Sequence, residues 1–452
     1  MVSMSKPRAR VRDRISALPD ALLSHILSFL PTLCAVRTSI LSARWRNMWT
    51  SLPNLDFDNE RDSFLGVTIG PYGKDRFTTF VERVFLYRNS CDIKKLGLKI
   101  RYPVDFSHID DWICTAVRRN ILEVDLHVFS DEIEEGEGFQ FPQSLFMCKT
   151  LKVLKLYSNS WTIKYPPPPP GCFPNLKFLH VEIDFPDPDS LKNLFTRCPM
   201  LEELSIHGFS DCARVYDIYV CAPELKTLRI KVSDPYKNCY FVINAPKLEY
   251  IDIKSAALSN YYLKNSNGLF NASIVFEEHF SNYKDEYQLC RLAELLSQRT
   301  NVNHLSLEIH DHCLQAWYHP FDFGNVNQMK LVLHDCYYWE VLAVLLTKSP
   351  KLVDLALEHR IKSHDEYSLP QWKQPESVPA CLLRNLCTIT IKGFRGHQVE
   401  MDVAQYMLKN GHVLNNMTIY TGHLCKKEKE LYKKFLMFER RSMSCKVEFI
   451  KM

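Results

Sequence analysis

A short phrase with apolar residues at its first, fourth and sixth positions recurs along the middle of the chain. It reads LKVLKL from Leu151, LKFLHV from Leu176, LEELSI from Leu201, LKTLRI from Leu225 and LEYIDI from Leu248, at offsets of 25, 25, 24 and 23 residues. Weaker copies precede it, IKKLGL from Ile93 and ILEVDL from Ile121. Others follow as VNHLSL from Val302, VNQMKL from Val326, LVDLAL from Leu352 and LCTITI from Leu386. Alternation at positions four and six predicts a short strand with those side chains turned inward and positions five and seven turned out. Between copies, DSLKNLFTRCPM (189–200) and YWEVLAVLLTKSP (338–350) have helical spacing. Asp189 or Ser190 is placed to cap the first, and Pro199 and Pro350 to end the two.

A strand and a helix every 20 to 29 residues is the leucine-rich repeat plan, in which stacked units share one hydrophobic ridge and none folds alone. The expected fold class is therefore α/β, a solenoid of strand-helix repeats. The phrase CPMLEEL, Cys198 to Leu204, echoed by SPKLVDL from Ser349, resembles the plant leucine-rich repeat family. Copies near 255–300 are hard to phase. The outward positions read Lys155 and Tyr157, His180 and Glu182, Ser205 and His207, Arg229 and Lys231, Asp252 and Lys254, then Ser306 and Glu308. That face is polar and of mixed sign, mostly basic from 229 to 254, and suits a folded or acidic protein segment. Outward strand positions are polar by default, so the pattern alone does not single out a partner.

The N-terminal segment LPDALLSHILSFLPTLCAVRTSILSARWRNMW (18–49) has a different periodicity. It parses into three short helices: Ala21 to Leu30 after an Asp20 cap and closed by Pro31, Cys34 to Ser42, and Ala43 to Thr50. About 40 residues cannot hide that much apolar surface, so part of it must meet a partner. The wording LPD, then SFLP, then TSILSARWR resembles the F-box, particularly its plant form, over about 35 residues; Ala43 stands where the family commonly has a polar residue. The resemblance implies docking on a Skp-type adaptor and through it a cullin. Leu18 and Pro19 would enter the adaptor groove. Leu22, Ile26, Leu27, Leu30, Pro31, Val36, Ile40, Leu41 and Trp45 would complete the contact or support it from within, and the sequence does not sort the two roles. Trp49 and Leu52 are expected to face the repeats. A plain capping role for the whole segment is the other reading, since solenoid ends need covering.

At the far end, Trp372 to Ile419 resembles the FBD module that follows leucine-rich repeats in many plant F-box proteins. The resemblance rests on Trp372, Pro375, Val378-Pro379, Cys381-Leu382, IKGF at 391–394, Glu400-Met401, Tyr406, LKN at 408–410, Leu414 and MTI at 417–419. Its pattern is strand, helix, strand, followed by a basic helix (KKEKELYKKFLMFERR) and a last strand (CKVEFI), which would close the open edge of the solenoid.

Charge and composition narrow the partners. Five of the 56 basic and one of the 52 acidic residues lie in the first 14, so the remainder balances at 51 of each, and no domain-wide basic field for nucleic acid exists. The tail reads as a solvated arm, with nuclear import or an acidic partner as alternatives. No leader pattern and no run of about 18 apolar residues is present, so no membrane contact is expected and the chain is placed in the nucleus, the cytoplasm or both. The 16 cysteines stand singly, as in FMCKTL, TRCPML and VPACLL, and read as small buried hydrophobes; the sequons at Asn271 and Asn416 then mean little. The proline tract 165–174 reads as a stiff connection, or as a ligand for a proline-binding groove, and DEIEEGEG (131–138) as a solvated loop.

Catalytic constellations are missing: there is no G-x-S-x-G, H-E-x-x-H or Walker loop, and His310-Asp311-His312 lacks a motif to complete a metal site. No catalytic residue, cofactor or metal is expected. The organisation expected is a basic disordered tail (1–11), an F-box (12–55), a linker or first irregular repeat (56–90), leucine-rich repeats (91–370) and an FBD with C-terminal cap (371–452). By resemblance the chain is a noncatalytic substrate receptor of a ubiquitin ligase with an unidentified protein target. The rival is a repeat scaffold acting outside a ligase.

Overall fold

The computed structural model describes residues 15, 17–60, 73–89, 92–101, 106–129, 143–158, 172–183, 188–208, 216–232, 239–255, 261–276, 295, 301–309, 323–334, 339–360, 372, 374–421 and 428–451. The basic tail, the acidic stretch 131–138, the proline run through residue 171 and the His310-Asp311-His312 triplet lie outside the described residues. The chain divides into two units, Met1–Leu176 and Lys177–Met452.

The first unit begins with helices α1 (Asp20–Leu27) and α2 (Thr32–Arg37), followed by 3-10 turns at Thr38–Ile40 and Met48–Ser51. Four parallel strands follow: β1 (Asn54–Asp58), β2 (Lys95–Ile100), β3 (Glu123–Val128) and β4 (Val153–Ser158). Their alternate residues Leu55 and Phe57, Leu96 and Leu98, Val124 and Leu126, Leu154 and Leu156 are buried, and the leading residues Ile93, Ile121 and Leu151 fill the floor beneath them. Helices Gly73–Tyr87 and Phe106–Val117 close the other side with Val81, Val84, Ile109 and Ile113, at the three- and four-residue spacings of one helix face. The first strand thus starts at Asn54, ahead of the region expected to be linker. Thr32 Oγ1 accepts from the main-chain N–H of Asp56 at 2.8 Å, and Arg88 donates to the carbonyl of Leu52.

In the second unit the same design runs through β5 (Phe178–Ile183), β6 (Glu203–Gly208), β8 (Thr227–Val232), β10 (Tyr250–Ser255), β12 (Asn271–Phe276), β13 (His304–Ile309), β14 (Gln328–His334), β15 (Asp354–Arg360), β16 (Thr388–Phe394), β17 (Asn416–Thr421) and β18 (Lys446–Lys451). All pair in parallel in that order. A repeating main-chain device sets the register: the carbonyl at phrase position two accepts two N–H groups from the next repeat, as Lys177 does from Glu202 and Glu203, and Glu202 from Lys226 and Thr227.

Two features depart from strand-helix alternation. Behind β6, β8 and β10 the return segments are themselves strands, β7 (Tyr216–Cys221), β9 (Cys239–Asn244) and β11 (Tyr261–Lys264), forming a separate three-stranded parallel sheet. Ile218, Val220, Phe241, Ile243, Tyr261 and Leu263 are buried at every second position, and a two-residue apolar period of aromatic and β-branched side chains fits a strand better than a helix. The copy that is hard to phase lies at Leu269 to Ile274, with Ala272 where the other copies carry a larger residue.

At the C-terminal end, helices Gln398–Asn410 and Glu428–Leu436 alternate with β16 to β18, so this segment ends the unit by extending the sheet. Glu400, 2% exposed, accepts from the main-chain N–H groups of Arg395, Gly396 and His397 at 3.0, 2.8 and 3.0 Å, and its other oxygen lies 2.9 Å from His359 Nδ1. It joins the start of a helix to strand β15.

Candidate functional site

Two exposed surfaces follow from these elements. The first belongs to the N-terminal helices. Leu23 and Leu27, four residues apart on α1, are buried with Ala35, Trp45 and Leu52, and Leu18, Met48 and Trp49 pack against that cluster half-buried. One residue back along the helix, Leu22 and Ile26 stand exposed on the other side of α1, followed by exposed Phe29 and Leu30. Beyond the Thr38–Ile40 turn, Ile40 is 85% exposed and Leu41 65%. Clustered exposed apolar side chains of this size mark an interaction surface in a protein of ordinary composition.

The expected contact set therefore divides. Pro19, Leu22, Ile26, Leu30, Ile40 and Leu41 are exposed, Leu18, Pro31 and Val36 are half-buried, and Leu27 and Trp45 lie inside as supports. Phe29, 75% exposed and outside the expected contact set, adds to the surface; His25 packs edge-on against it with centroids 4.9 Å apart. Three local expectations change. Asp20 is the first helical residue, with Pro19 before it and no side-chain cap; its carboxylate instead takes Arg44 at 2.5 Å while Arg44 also donates to the carbonyl of Leu18. The third helix, Ala43 to Thr50, is a run of three-residue turns, Trp45 N–H to Ser42 O and Met48 N–H to Trp45 O. Those turns bury Trp45 while Arg44 reaches back to Asp20. Trp49 and Leu52, expected to face the repeats, pack on the helical cluster.

The second surface is the outward side of the strands. In the first unit Lys155 and Tyr157 align with Asp125 and His127. His127 stacks on Tyr157 with centroids 3.9 Å apart and lies 2.9 Å from Asp125, while Lys155 and Lys95 share Glu123. Burial opposes ionisation of Asp125, yet the His127 hydrogen bond and the charges of His127, Lys155 and Lys95 outweigh it and hold the carboxyl below its ordinary range.

In the second unit the parallel register builds two columns. One runs His180, Ser205, Arg229, Asp252; the next runs Glu182, His207, Lys231, Lys254. Arg229 pairs with Glu203 at 3.3 Å and sits over the Tyr250 ring. Lys231 and Lys254 are exposed. The metal-ligating atoms of His180, Glu182 and His207 all lie within 4.8 Å of one another. Burial pushes the His207 imidazole down; Glu182 opposes the shift, and Lys231 and Lys254 add to it.

The same face also holds an open groove of about 380 Å³, lined among others by Tyr250, Ser273, His304, Gln328, Lys330 and Thr390, and including Ser306 of the expected outward positions. Its lining mixes polar and apolar side chains, and part of its signal was available: Ser306, Lys330 and Thr390 are fifth positions of the copies from Val302, Val326 and Leu386. Next to it Glu308 takes His334 at 2.8 Å and Arg360 at 3.0 Å, and Glu358 takes Arg360 and Lys330. Among the described residues no helix is long and apolar enough to cross a membrane.

Comparison with known proteins identifies both segments. Residues 15–57 match the F-box domain and residues 85–446 match the LRR domain described for At1g61320/AtMIF1. The chain is 32% identical to the F-box/FBD/LRR-repeat protein At3g52680 of Arabidopsis thaliana, over 91% of its own length and 86% of that protein's. It is 32% identical to F-box/FBD/LRR-repeat protein At2g04230 (93% and 92% covered) and 30% to FBD-associated F-box protein At3g52670 (95% and 93%), both also from Arabidopsis thaliana. An N-terminal F-box whose apolar side chains divide between a small core and an open face, followed by parallel leucine-rich repeats to the C-terminus, places this chain in the plant F-box/FBD/LRR-repeat family.

Proposed function

We propose that the chain is the noncatalytic substrate-recognition subunit of an SCF-type cullin-RING ubiquitin ligase, acting in the nucleus, the cytoplasm or both. The F-box binds a Skp-type adaptor, and through it a cullin, with Leu22, Ile26, Phe29, Leu30, Ile40 and Leu41; the outward strand face binds a protein target. The observation that carries this reading is the exposure of Ile26 at 44% beside Leu27 at 1% on one eight-residue helix. A helix that served only to cover the end of the repeats would have little reason to carry a second apolar face turned away from its core. Holding a target near a transferred ubiquitin raises effective concentration, and it requires no catalytic group in this chain.

The test is the affinity of the full chain for a Skp adaptor, measured for the native protein and for Ile26→Asp. Loss of the isoleucine contact costs about 1.5–3 kcal/mol. Trapping an unpaired carboxylate in an apolar groove costs at least about 1–3 more. A fall in affinity of at least roughly a hundredfold is expected. Equal adaptor binding by the two proteins, or none by the folded native chain, would remove the receptor reading and leave a repeat scaffold.

A further inference from the structure

Several histidines of the main sheet lie beside carboxylates, and most of these pairs are closed. His127 and Asp125 are 2.9 Å apart, His334 and Glu308 2.8 Å, and His359 and Glu400 2.9 Å, all hydrogen-bond distances. One group differs. Nε2 of His180 lies 3.8 Å and Nδ1 of His207 3.9 Å from the same oxygen of Glu182, too far for hydrogen bonds, and the ligand atoms of the three residues all lie within 4.8 Å of one another. Ligand atoms held at about 2.1 Å around a tetrahedral zinc ion stand about 3.4 Å from one another. The two separations from Glu182 exceed that by about half an ångström and the widest by up to about 1.4 Å, so movements of up to about an ångström in flexible side chains would bring these three to that spacing.

We propose that His180, Glu182 and His207 form a three-ligand site for a divalent transition-metal ion of the zinc class, with a fourth coordination position open on the outward face. Parallel register brings the ligands together: Glu182 lies directly across from His207 on the adjacent strand, and His180 directly across from Ser205. The two imidazole rings are nearly perpendicular, at 84° with centroids 4.7 Å apart, so both can turn a nitrogen toward one ion without overlapping. Ser205 Oγ sits 3.2 Å from His207 Nε2. A hydroxyl accepting from Nε2–H fixes the tautomer whose Nδ1 lone pair points at the site, the kind of outer partner that metal-bound histidines usually have. Two imidazoles and a carboxylate suit zinc, and three protein ligands leave a position free.

The open position has a chemical preference. Lys231 and Lys254 continue the Glu182–His207 column on the next two strands, and Asp252 lies beside them. With a divalent ion added, this patch is cationic, so the fourth ligand it favours is an anionic side chain such as a carboxylate. That last clause rests on the receptor reading, in which the ligand comes from the target; the metal site does not.

The test uses the full chain, freed of metal by a chelator and titrated with zinc by calorimetry and with cobalt(II) by visible absorption. Glu182→Gln and His207→Ala are the variants, both at positions exposed enough to spare the core, with circular dichroism as the check on folding. One zinc ion per native chain is expected. Each variant should weaken binding at least tenfold, and the cobalt spectrum should lack the thiolate charge-transfer bands that any of the cysteines would produce. Zinc binding that is the same in the native chain and both variants, a cobalt spectrum dominated by thiolate bands, or no binding by the folded native chain would overturn the proposal. Adaptor affinity in the same variants is expected to be unchanged, so failure here is separable from failure of the receptor reading.

Discussion

Replacing Gly393 by alanine should destabilise the C-terminal part of the sheet, for two reasons with different signatures. Gly393 has φ of +73°, in the left-handed region, and lies where the pairing of β16 with β17 shifts register between Ile391 and Phe394. An L-residue there costs roughly 1–2 kcal/mol. A Cβ at this position would also stand 2.1 Å from the main-chain carbonyl oxygen of His359 on β15, well inside van der Waals contact. Relieving that overlap requires β16 to move away from β15 locally, sacrificing one or two ladder hydrogen bonds at about 0.5–1.5 kcal/mol each. The combined cost is about 1.5–5 kcal/mol. The assay is the denaturant midpoint of the full chain, with hydrogen exchange of helix Gln398–Asn410 as a local readout, because Glu400 on that helix is bonded to His359. Gly393→Asn separates the causes: asparagine tolerates positive φ but carries the same Cβ. Asparagine should therefore recover the backbone part, roughly 1–2 kcal/mol, and remain destabilised by the overlap alone. A change under about 0.5 kcal/mol for alanine, or near-native stability for asparagine, would refute the reasoning.

Other outcomes follow from the same geometry. Leu27→Ala should cost about 2–5 kcal/mol of F-box stability, and Ile26→Ala less than about 0.5; thermal unfolding of the two variants checks which face of α1 is inside. Glu400→Ala leaves three main-chain N–H groups and His359 without their acceptor, and a loss of about 3–5 kcal/mol is expected in denaturant unfolding. For Asp125, whose carboxyl is held below its ordinary value, the sign is that of a depressed acid. Its contribution is present above the ordinary aspartate value of about 3.9 and is lost as pH falls through the lower folded value. Native chain and Asp125→Asn should have converging stabilities at the acid end and a gap that opens as pH rises, read from unfolding midpoints across pH 2 to 6; a constant gap would contradict the assignment.

Much of the architecture could be read from the chain because the inward positions of a stacked strand admit little but apolar side chains. The phrases at Leu151, Leu201 or Leu225 therefore stand out at regular offsets. Where that demand relaxes, the signal fades. The copy at Leu269 carries Ala272 at an inward position, and the strands Tyr216–Cys221 and Cys239–Asn244 occupy stretches that the spacing alone assigns to helices. In the F-box, Ile26 and Leu27 are chemically alike, and only the packing of α1 against Trp45 and Leu52 decides which of them faces out. The convergence of His180, Glu182 and His207 was nearer the surface of the sequence. Glu182 and His207 are 25 residues apart, one repeat offset, which is the separation that places two residues side by side on adjacent strands. What the linear pattern lacks is the side-chain direction that turns a column of polar residues into a site.

The proposed receptor role requires this chain to join a ubiquitin ligase by its F-box while its repeats remain free for a target. Its most direct measurement is reconstitution of the full chain with a Skp adaptor and a cullin, followed by size-exclusion chromatography with light scattering. One species with the summed mass of the three chains is expected, and Ile26→Asp should dissociate it into an adaptor–cullin pair and the free variant. A native chain that is folded yet elutes apart from an intact adaptor–cullin pair would contradict it.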